Sequence, residues 1–122
     1  EGIIINEIYG ELCLHDCLVN HNEAPFTSHL IYTRTNVLRD EVPEDRKLGI
    51  QAGFEWRDVS EMTVFYIDLG VTDGMTEGVE DCREKDKKYE VRILPDYLWE
   101  QLLEICYESD IEPPERKIEK GE

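Results

Sequence analysis

Carboxylates and a glycine-containing turn follow a strongly apolar segment of this chain. Residues 66–82 read YIDLGVTDGMTEGVEDC: Asp68 ends the apolar run, and Glu77 and Glu80 come after the turn at helical spacing. A carboxylate at the end of a buried strand faces the crevice in which open α/β sheets bind their ligands. Asp68 could equally be a turn or helix-capping residue that stabilises LGVTDG. The segment is therefore either part of an enzyme's active site or a turn of the same shape that lacks the catalytic residues.

The turn itself is a candidate anion site. Thr72, Asp73 and Gly74 stand where a helix is expected to begin, and the free N–H groups at such an end can hold a phosphate. Ordinary capping, which Thr and Asp perform well, explains the same residues. Met75 comes next and is expected either to line the same crevice or to pack against a neighbouring element.

Three more side chains are candidate ligand contacts. His29 falls within the apolar segment APFTSHLIY, where a histidine is either a catalytic group or a hydrogen-bonded core residue. Arg46 could bind a phosphate or pair with a nearby acid such as Glu44. Trp56 could stack on a base or simply fill the core.

The cysteines do not favour a metal site. Cys13 and Cys17 stand four apart, on one face of a helix, whereas His15 points to a different face. No second Cys/His pair lies nearby in the sequence, as a closed zinc site requires. We therefore expect buried, reduced thiols, with no metal, no cofactor and no disulfide in a cytoplasmic chain.

Hydrophobic periodicity divides the chain into alternating helices and strands. The run MTVFYIDLG is almost continuously apolar, as expected of a strand that is covered on both faces, and the polar TRTNVLRDE is expected to be a loop. The predicted elements are helices over 4–19, 43–56, 75–86 and 95–109, and strands over 24–32, 62–70 and 89–94.

This alternation predicts an α/β fold with three layers, in which helices cover both faces of a mostly parallel sheet, flavodoxin-like or Rossmann-like. Such folds normally open with a strand, whereas this chain opens almost directly into a helix, so the first strand is expected to lie upstream. We expect the domain to span residues 1–109, and the charged residues 110–122 to form a mobile acidic tail. The loops after HLIY and YID should converge on one pocket, because the ends of parallel strands share an edge.

Net charge and hydropathy limit the partners. The 122-residue chain has 13 basic and 29 acidic residues, a formal charge of −16, and that field repels duplex nucleic acid and anionic membranes. No apolar stretch approaches the ~20 residues that span a bilayer, and no basic leader is visible, so we expect a soluble cytoplasmic protein. A small nucleotide remains compatible with this charge, because local amides and one or two Arg can oppose the net field.

Three segments, APFTSHLIYT, PEDRKLGIQAGFEW and VFYIDLGVTDGMTEGVE, resemble the nucleoside 2-deoxyribosyltransferase-like superfamily, with the best likeness to an uncharacterised bacterial and phage branch. The resemblance covers about residues 5–94. It implies action on the N-glycosidic bond of a nucleoside or nucleotide. A glutamate on the helix after the turn is the nucleophile in active members, assisted by an aspartate on an earlier element. The candidates here are Asp68, Glu77 and Glu80, and the chemistry is that of a carboxylate that traps an oxocarbenium-like sugar.

The register of this motif differs from that of the active members. Thr72, Asp73 and Gly74 match the first positions of the motif, but Gly78 stands where the nucleophilic glutamate belongs, with Glu77 one residue before it. A shift of one residue turns a helical side chain by about 100°. We expect Gly78 to lie on the pocket side of its helix and Glu77 to point away. The turn and helix would then have the same shape as in active members but would lack the nucleophile.

Three functions therefore compete: an N-glycosidase or deoxyribosyltransferase, a module that binds a nucleotide-type ligand without cleaving it, and an assembly protein. A homodimer or larger homo-oligomer is also expected, because the helices IYGELCLHDCL and LWEQLLEICY carry wide apolar stripes.

Overall fold

Residues 2–118 of the computed structural model are described here. They form five helices and two short strands, in this order: α1 (Gly2–Asn20), α2 (Ser28–Tyr32), α3 (Pro43–Val59), β1 (Thr63–Tyr66), α4 (Asp73–Glu84), β2 (Tyr89–Arg92) and α5 (Asp96–Glu108). The strands β1 and β2 pair in parallel, with Thr63 opposite Tyr89 and Tyr66 opposite Arg92. The predicted parallel α/β arrangement is thus confirmed for this pair, and the described residues contain no further strand of the sheet.

Local signals account for the helix beginnings. Pro43 occupies the first turn of α3, where its missing N–H costs nothing, and two acids, Glu44 and Asp45, suit the positive end of the helix dipole. Thr72 caps α4 by accepting a hydrogen bond from the Met75 N–H at 3.1 Å. The sequence GIII lies within α1 rather than in a strand.

The strand predicted over residues 24–32 is wrong. Ser28–Tyr32 is a helix, and within it Leu30 is buried against Gly10 of α1. Phe26 stacks on Trp56 of α3, with 4.4 Å between the ring centroids. The β-branched and aromatic composition of this segment serves packing on α3 and α1, and that tertiary context overrides strand propensity.

The core lies where α1 and α5 pack together over one face of the strand pair. Its buried members are Tyr9, Leu12, Cys17, Tyr66, Leu94, Leu98, Trp99, Leu102 and Cys106. The apolar stripes of α1 and α5, which suggested a homo-oligomer, therefore cover each other within one chain. The oligomeric state stays a prediction, and these two stripes no longer argue for it.

The segment 111–118 follows α5 without regular secondary structure and lies against the domain. Ile111 packs on the core and donates its N–H to the Cys106 carbonyl at 2.8 Å. The Lys117 N–H donates to the Asp68 carbonyl at 2.7 Å. These contacts attach the segment to the end of β1, and the mobility expected for residues 110–122 stays a prediction. The rest of the predicted tail, 119–122, lies outside the described residues.

Candidate functional site

Asp68 lies two residues beyond β1, at the carboxyl end of the strand pair, and its side chain is fully buried. Its carboxylate accepts hydrogen bonds from the Tyr9 hydroxyl at 2.7 Å, from the Leu94 N–H at 3.0 and 3.2 Å, and from Arg116 Nε at 3.0 Å. Its own N–H donates to the Tyr9 oxygen at 3.0 Å. Every polar group of Asp68 is therefore satisfied by the chain itself.

Arg116 fills the crevice beside Asp68. Besides its bond to that carboxylate, the guanidinium donates to Asp96 at 2.9 Å and to the carbonyl of Leu94, and it lies 5.3 Å from the centre of the Trp99 ring. Burial raises the pKa of the Tyr9 phenol, so that Tyr9 remains a hydrogen-bond donor to Asp68 at any ordinary pH. Asp68 is thus held in place as a paired, buried carboxylate.

Gly78 of α4 faces the strand pair rather than an open pocket. A Cβ atom placed there would lie 2.8 Å from the Phe65 ring and 3.1 Å from Arg57 Nη2. We expected Gly78 on the pocket side of its helix, but the Phe65 ring fills the space that a side chain at this position would take. Glu77 and Glu80 of the same helix are exposed to solvent.

The α4 N-terminus is accounted for by capping. Thr72 accepts the Met75 N–H through its side chain and the Thr76 N–H through its carbonyl, the latter at 3.1 Å. Asp73 and Gly74 form the first turn of α4 and are exposed, and Met75 is half-buried. The turn therefore has a structural explanation that requires no ligand.

A cleft of about 180 Å³ lies between α2, α3 and the loop that joins them. It collects two of the predicted ligand residues, His29 and Arg46, which line it from α2 and α3. Within residues 2–118 neither side chain takes part in a hydrogen bond or an ion pair. Trp56 borders this region by donating its indole N–H to the Tyr32 hydroxyl at 2.9 Å.

Within the described part of the chain, the cleft that contains His29 is not the single pocket that the sequence predicted. Because His29 lies on a helix, it does not follow a strand end, and the lining of the α2–α3 cleft includes neither Asp68 nor the residues Asp73, Gly74 and Met75. The structure therefore separates the candidates into two groups, one at the end of β1 and one in the α2–α3 cleft.

A second buried polar cluster, around Asp16, was not predicted from the sequence. Asp16 of α1 is almost fully buried and accepts the Tyr66 hydroxyl at 2.6 Å and the Asn20 amide at 2.7 Å. Burial raises the pKa of the Tyr66 phenol. The Cys17 Sγ atom lies 3.5 Å from the Tyr66 hydroxyl oxygen. Because the Tyr66 hydroxyl already donates its hydrogen to Asp16, the Cys17 thiol is the donor in this second contact. The spacing of Asp16 from Leu12 and Tyr9, four and seven residues, was the available signal, since it places Asp16 on the apolar face of α1.

The thiols are chemically quiet. All four cysteines are free, and burial raises the pKa of both Cys13 and Cys17, so that the reactive thiolate is disfavoured. His15, the third member of the sequence cluster, is exposed. Across residues 2–118 no group of three potential ligands is placed to hold a metal ion.

Fold and site together define an α/β protein in which a parallel strand pair ends at a buried, fully paired aspartate. The chain belongs to the family described as a domain of unknown function, DUF7768, which matches residues 5–92. No curated protein and no solved structure gives a significant match to the chain. Over the described residues, none of the helices combines the length and the apolar character needed to cross a bilayer.

Proposed function

We propose that this chain is a nucleoside 2-deoxyribosyltransferase-like protein that binds a nucleoside- or nucleotide-type ligand and does not cleave its N-glycosidic bond. The three segments that carry the resemblance, residues 24–33, 43–56 and 64–80, all lie within the family match over residues 5–92. In this proposal β1 and β2 are part of a larger parallel sheet, three-layered and flavodoxin-like, with helices on both faces.

The environment of Asp68 carries the non-catalytic half of the proposal. A general acid must reach the leaving group, within about 2.6–3.2 Å. Asp68 is 0% exposed, and four own-chain contacts at 2.7 to 3.2 Å occupy its two carboxylate oxygens. Freeing one oxygen would leave the Arg116 guanidinium or the Tyr9 hydroxyl without its partner, so substrate cannot simply replace them.

The packing of Gly78 supports the same conclusion for the nucleophile. The Phe65 ring stands where a Cβ at position 78 would project, so a carboxylate there would have to displace a buried ring of β1 that packs on α4. Glu77 and Glu80 point into solvent, where water screens a carboxylate and nothing orients it toward a sugar.

The experiment combines a base-release assay with binding measurements on a panel of nucleosides and nucleotides. We expect at least one compound to bind and no free base to appear, in wild type and equally in Glu77→Ala and Glu80→Ala. Glu84→Ala, an exposed carboxylate on the same helix, is the matched control. Turnover that is lost in Glu77→Ala or Glu80→Ala but kept in Glu84→Ala would show that the protein is an enzyme.

An assembly role is the second candidate, and helix α3 favours it. None of its 17 residues is buried, and its large apolar side chains are between 40% and 76% exposed: Leu48, Ile50, Phe54, Trp56 and Val59. Light scattering at micromolar concentration tests this role. A multimeric mass that falls to that of one chain in Val59→Asp would support assembly, and a single-chain mass for wild type would refute it.

A further inference from the structure

We infer that the α2–α3 cleft is a subsite for a phosphate monoester, with Arg46 as the cation that holds the phosphoryl group. This rests on the proposed function in so far as the ester belongs to a nucleotide. Arg46 lines the cleft, is exposed, and forms no ion pair within the described residues. A planar guanidinium with unused donors suits the bidentate recognition of phosphate oxygens.

Further hydrogen-bond donors surround the same space. Tyr32 lines the cleft, and because its hydroxyl accepts the Trp56 indole N–H, the hydrogen of that hydroxyl can still be donated. Ser28 and His29 line the cleft as well, and their side chains form no hydrogen bond within the described part of the chain. Three donors of this kind beside one cation match the several acceptor oxygens of a phosphoryl group.

Two carboxylates also line the cleft, and their charges decide what else it can accept. Asp45 is already engaged, since it accepts the Arg39 N–H at 2.9 Å and lies 3.4 Å from the Arg39 Nε. Asp40 has no such contact among the described residues. It opposes a bare anion, but it is a good acceptor for the hydroxyl groups of a sugar attached to the phosphate.

The size of the cleft argues for part of a ligand rather than all of it. About 180 Å³ is the space of roughly six waters in the liquid, at about 30 Å³ each. Pockets that enclose a complete organic ligand are usually larger, about 300–1,000 Å³. The phosphoryl group and its adjoining sugar carbons therefore fit, and the rest of the ligand lies outside.

The test is a titration of the chain with four probes: inorganic phosphate, ribose 5-phosphate, a nucleoside 5′-monophosphate and the matching nucleoside. Amide chemical shifts locate the site and calorimetry gives the affinity. We expect phosphate-dependent shifts in α2 and the first half of α3. We also expect the monophosphate to bind about tenfold more tightly than its nucleoside, as one charge-assisted contact provides.

Variants separate the subsite from general charge effects. Arg46→Gln should abolish the tenfold preference for the monophosphate, whereas Lys47→Gln should leave it within about twofold, because Lys47 is exposed and does not line the cleft. Asp40→Asn should strengthen the binding of inorganic phosphate by removing the opposing charge.

Two results would overturn the inference: no shifts in α2 and α3 with any phosphorylated probe, or equal losses in Arg46→Gln and Lys47→Gln. Nucleoside binding without any effect of the phosphate or of Arg46 would remove the subsite and leave the proposed function intact. Ribose 5-phosphate could bind in an Arg46-dependent way and as tightly as the nucleoside monophosphate. That result would support the phosphate subsite and contradict the proposal that the ligand is a nucleotide.

Discussion

The phenol of Tyr9 and the residue Asp68, 59 positions apart in the chain, exchange two hydrogen bonds. The Tyr9 hydroxyl donates to the Asp68 carboxylate at 2.7 Å and accepts the Asp68 N–H at 3.0 Å. Helix α1 is thereby joined to the end of β1 by a group that is both donor and acceptor. Since the site is buried, water cannot replace either bond without opening the core.

Tyr9→Phe should therefore be costly for so small a change. It leaves a buried N–H and a buried carboxylate oxygen each short of one partner, and we expect a loss of about 2–3 kcal/mol in the free energy of unfolding. Urea denaturation followed by circular dichroism measures this. Tyr107→Phe is the control, because Tyr107 is 69% exposed. Equal stability of the two variants would contradict the role assigned to Tyr9.

Arg116→Ala should destabilise the domain although it lies in a segment without regular structure. The change leaves Asp68 with no cationic partner at a site from which water is excluded, and the expected cost is about 2–4 kcal/mol. Arg34→Ala is the control, because its contact with Glu7 is 3.7 Å long and both side chains are exposed.

Arg116→Lys tests the geometry of the same contact. The guanidinium reaches Asp68, Asp96 and the Leu94 carbonyl at once, and an ammonium cannot match that fork. We expect Lys to restore less than half of the lost stability. Full rescue by Lys would mean that charge alone matters at this position.

The ion pair of Glu23 with Arg92 should give a measurable pH dependence. Two bonds of 2.8 and 2.7 Å join the side chains, and the hydrogen bonds from Arg92 hold the pKa of Glu23 below its usual value. The pair therefore stabilises the fold above the unfolded pKa of Glu, near 4.3, and this contribution disappears as the pH falls through the lower pKa of the folded state.

Glu23→Gln isolates that contribution. At pH 7 we expect the variant to be less stable by about 1–2 kcal/mol, since the pair is part-exposed. The difference in the free energy of unfolding between wild type and the variant should become smaller below about pH 4, because Glu23 of the wild type becomes protonated. Parallel urea titrations from pH 7 to pH 3 measure it. A gap that stays constant over this range would mean that the charge of Glu23 is not responsible.

Two glycines of α4 should respond in opposite directions to alanine. At Gly78 the new methyl would lie 2.8 Å from the Phe65 ring, and such overpacking typically costs about 1–3 kcal/mol. At Gly74 the nearest atom is Thr72 Oγ1 at 3.8 Å, so Ala fits. Alanine has a higher helix propensity than glycine, so Gly74→Ala should increase the free energy of unfolding by up to about 0.5–1 kcal/mol. Thermal unfolding of both variants checks the pair, and a neutral Gly78→Ala would show that Phe65 moves aside easily.

The regular elements with strong periodicity could be read from the sequence. Helices α3, α4 and α5 and the parallel strand pair were predicted within a few residues, because Pro43, Thr72 and the apolar run of β1 are local signals. Helix α2 could not be read in this way. It has five residues, and only its packing on α3 and α1 decides between helix and strand.

The candidate site was predictable only in part. The position of Asp68 at a strand end and the capping of α4 by Thr72 followed from the pattern. The partner of Asp68 did not, because Arg116 lies in a charged stretch where no periodicity distinguishes an anchored cation from a solvated one. Distances in sequence of 48 and 59 residues separate Asp68 from Arg116 and Tyr9, and no local signal spans them.

The packing of α1 against α5 has a consequence for synthesis on the ribosome. Within residues 2–118, the core between α1 and α5 has nine buried members, and five of them lie beyond residue 92, where the family match ends: Leu94, Leu98, Trp99, Leu102 and Cys106. The apolar face of α1 therefore stays uncovered until the ribosome has translated the five core residues beyond residue 92. At about 5–20 residues per second this delay lasts several seconds. Nascent chains halted before α5 should therefore expose α1 to chaperones and to one another, and aggregation of incomplete chains should begin at that helix.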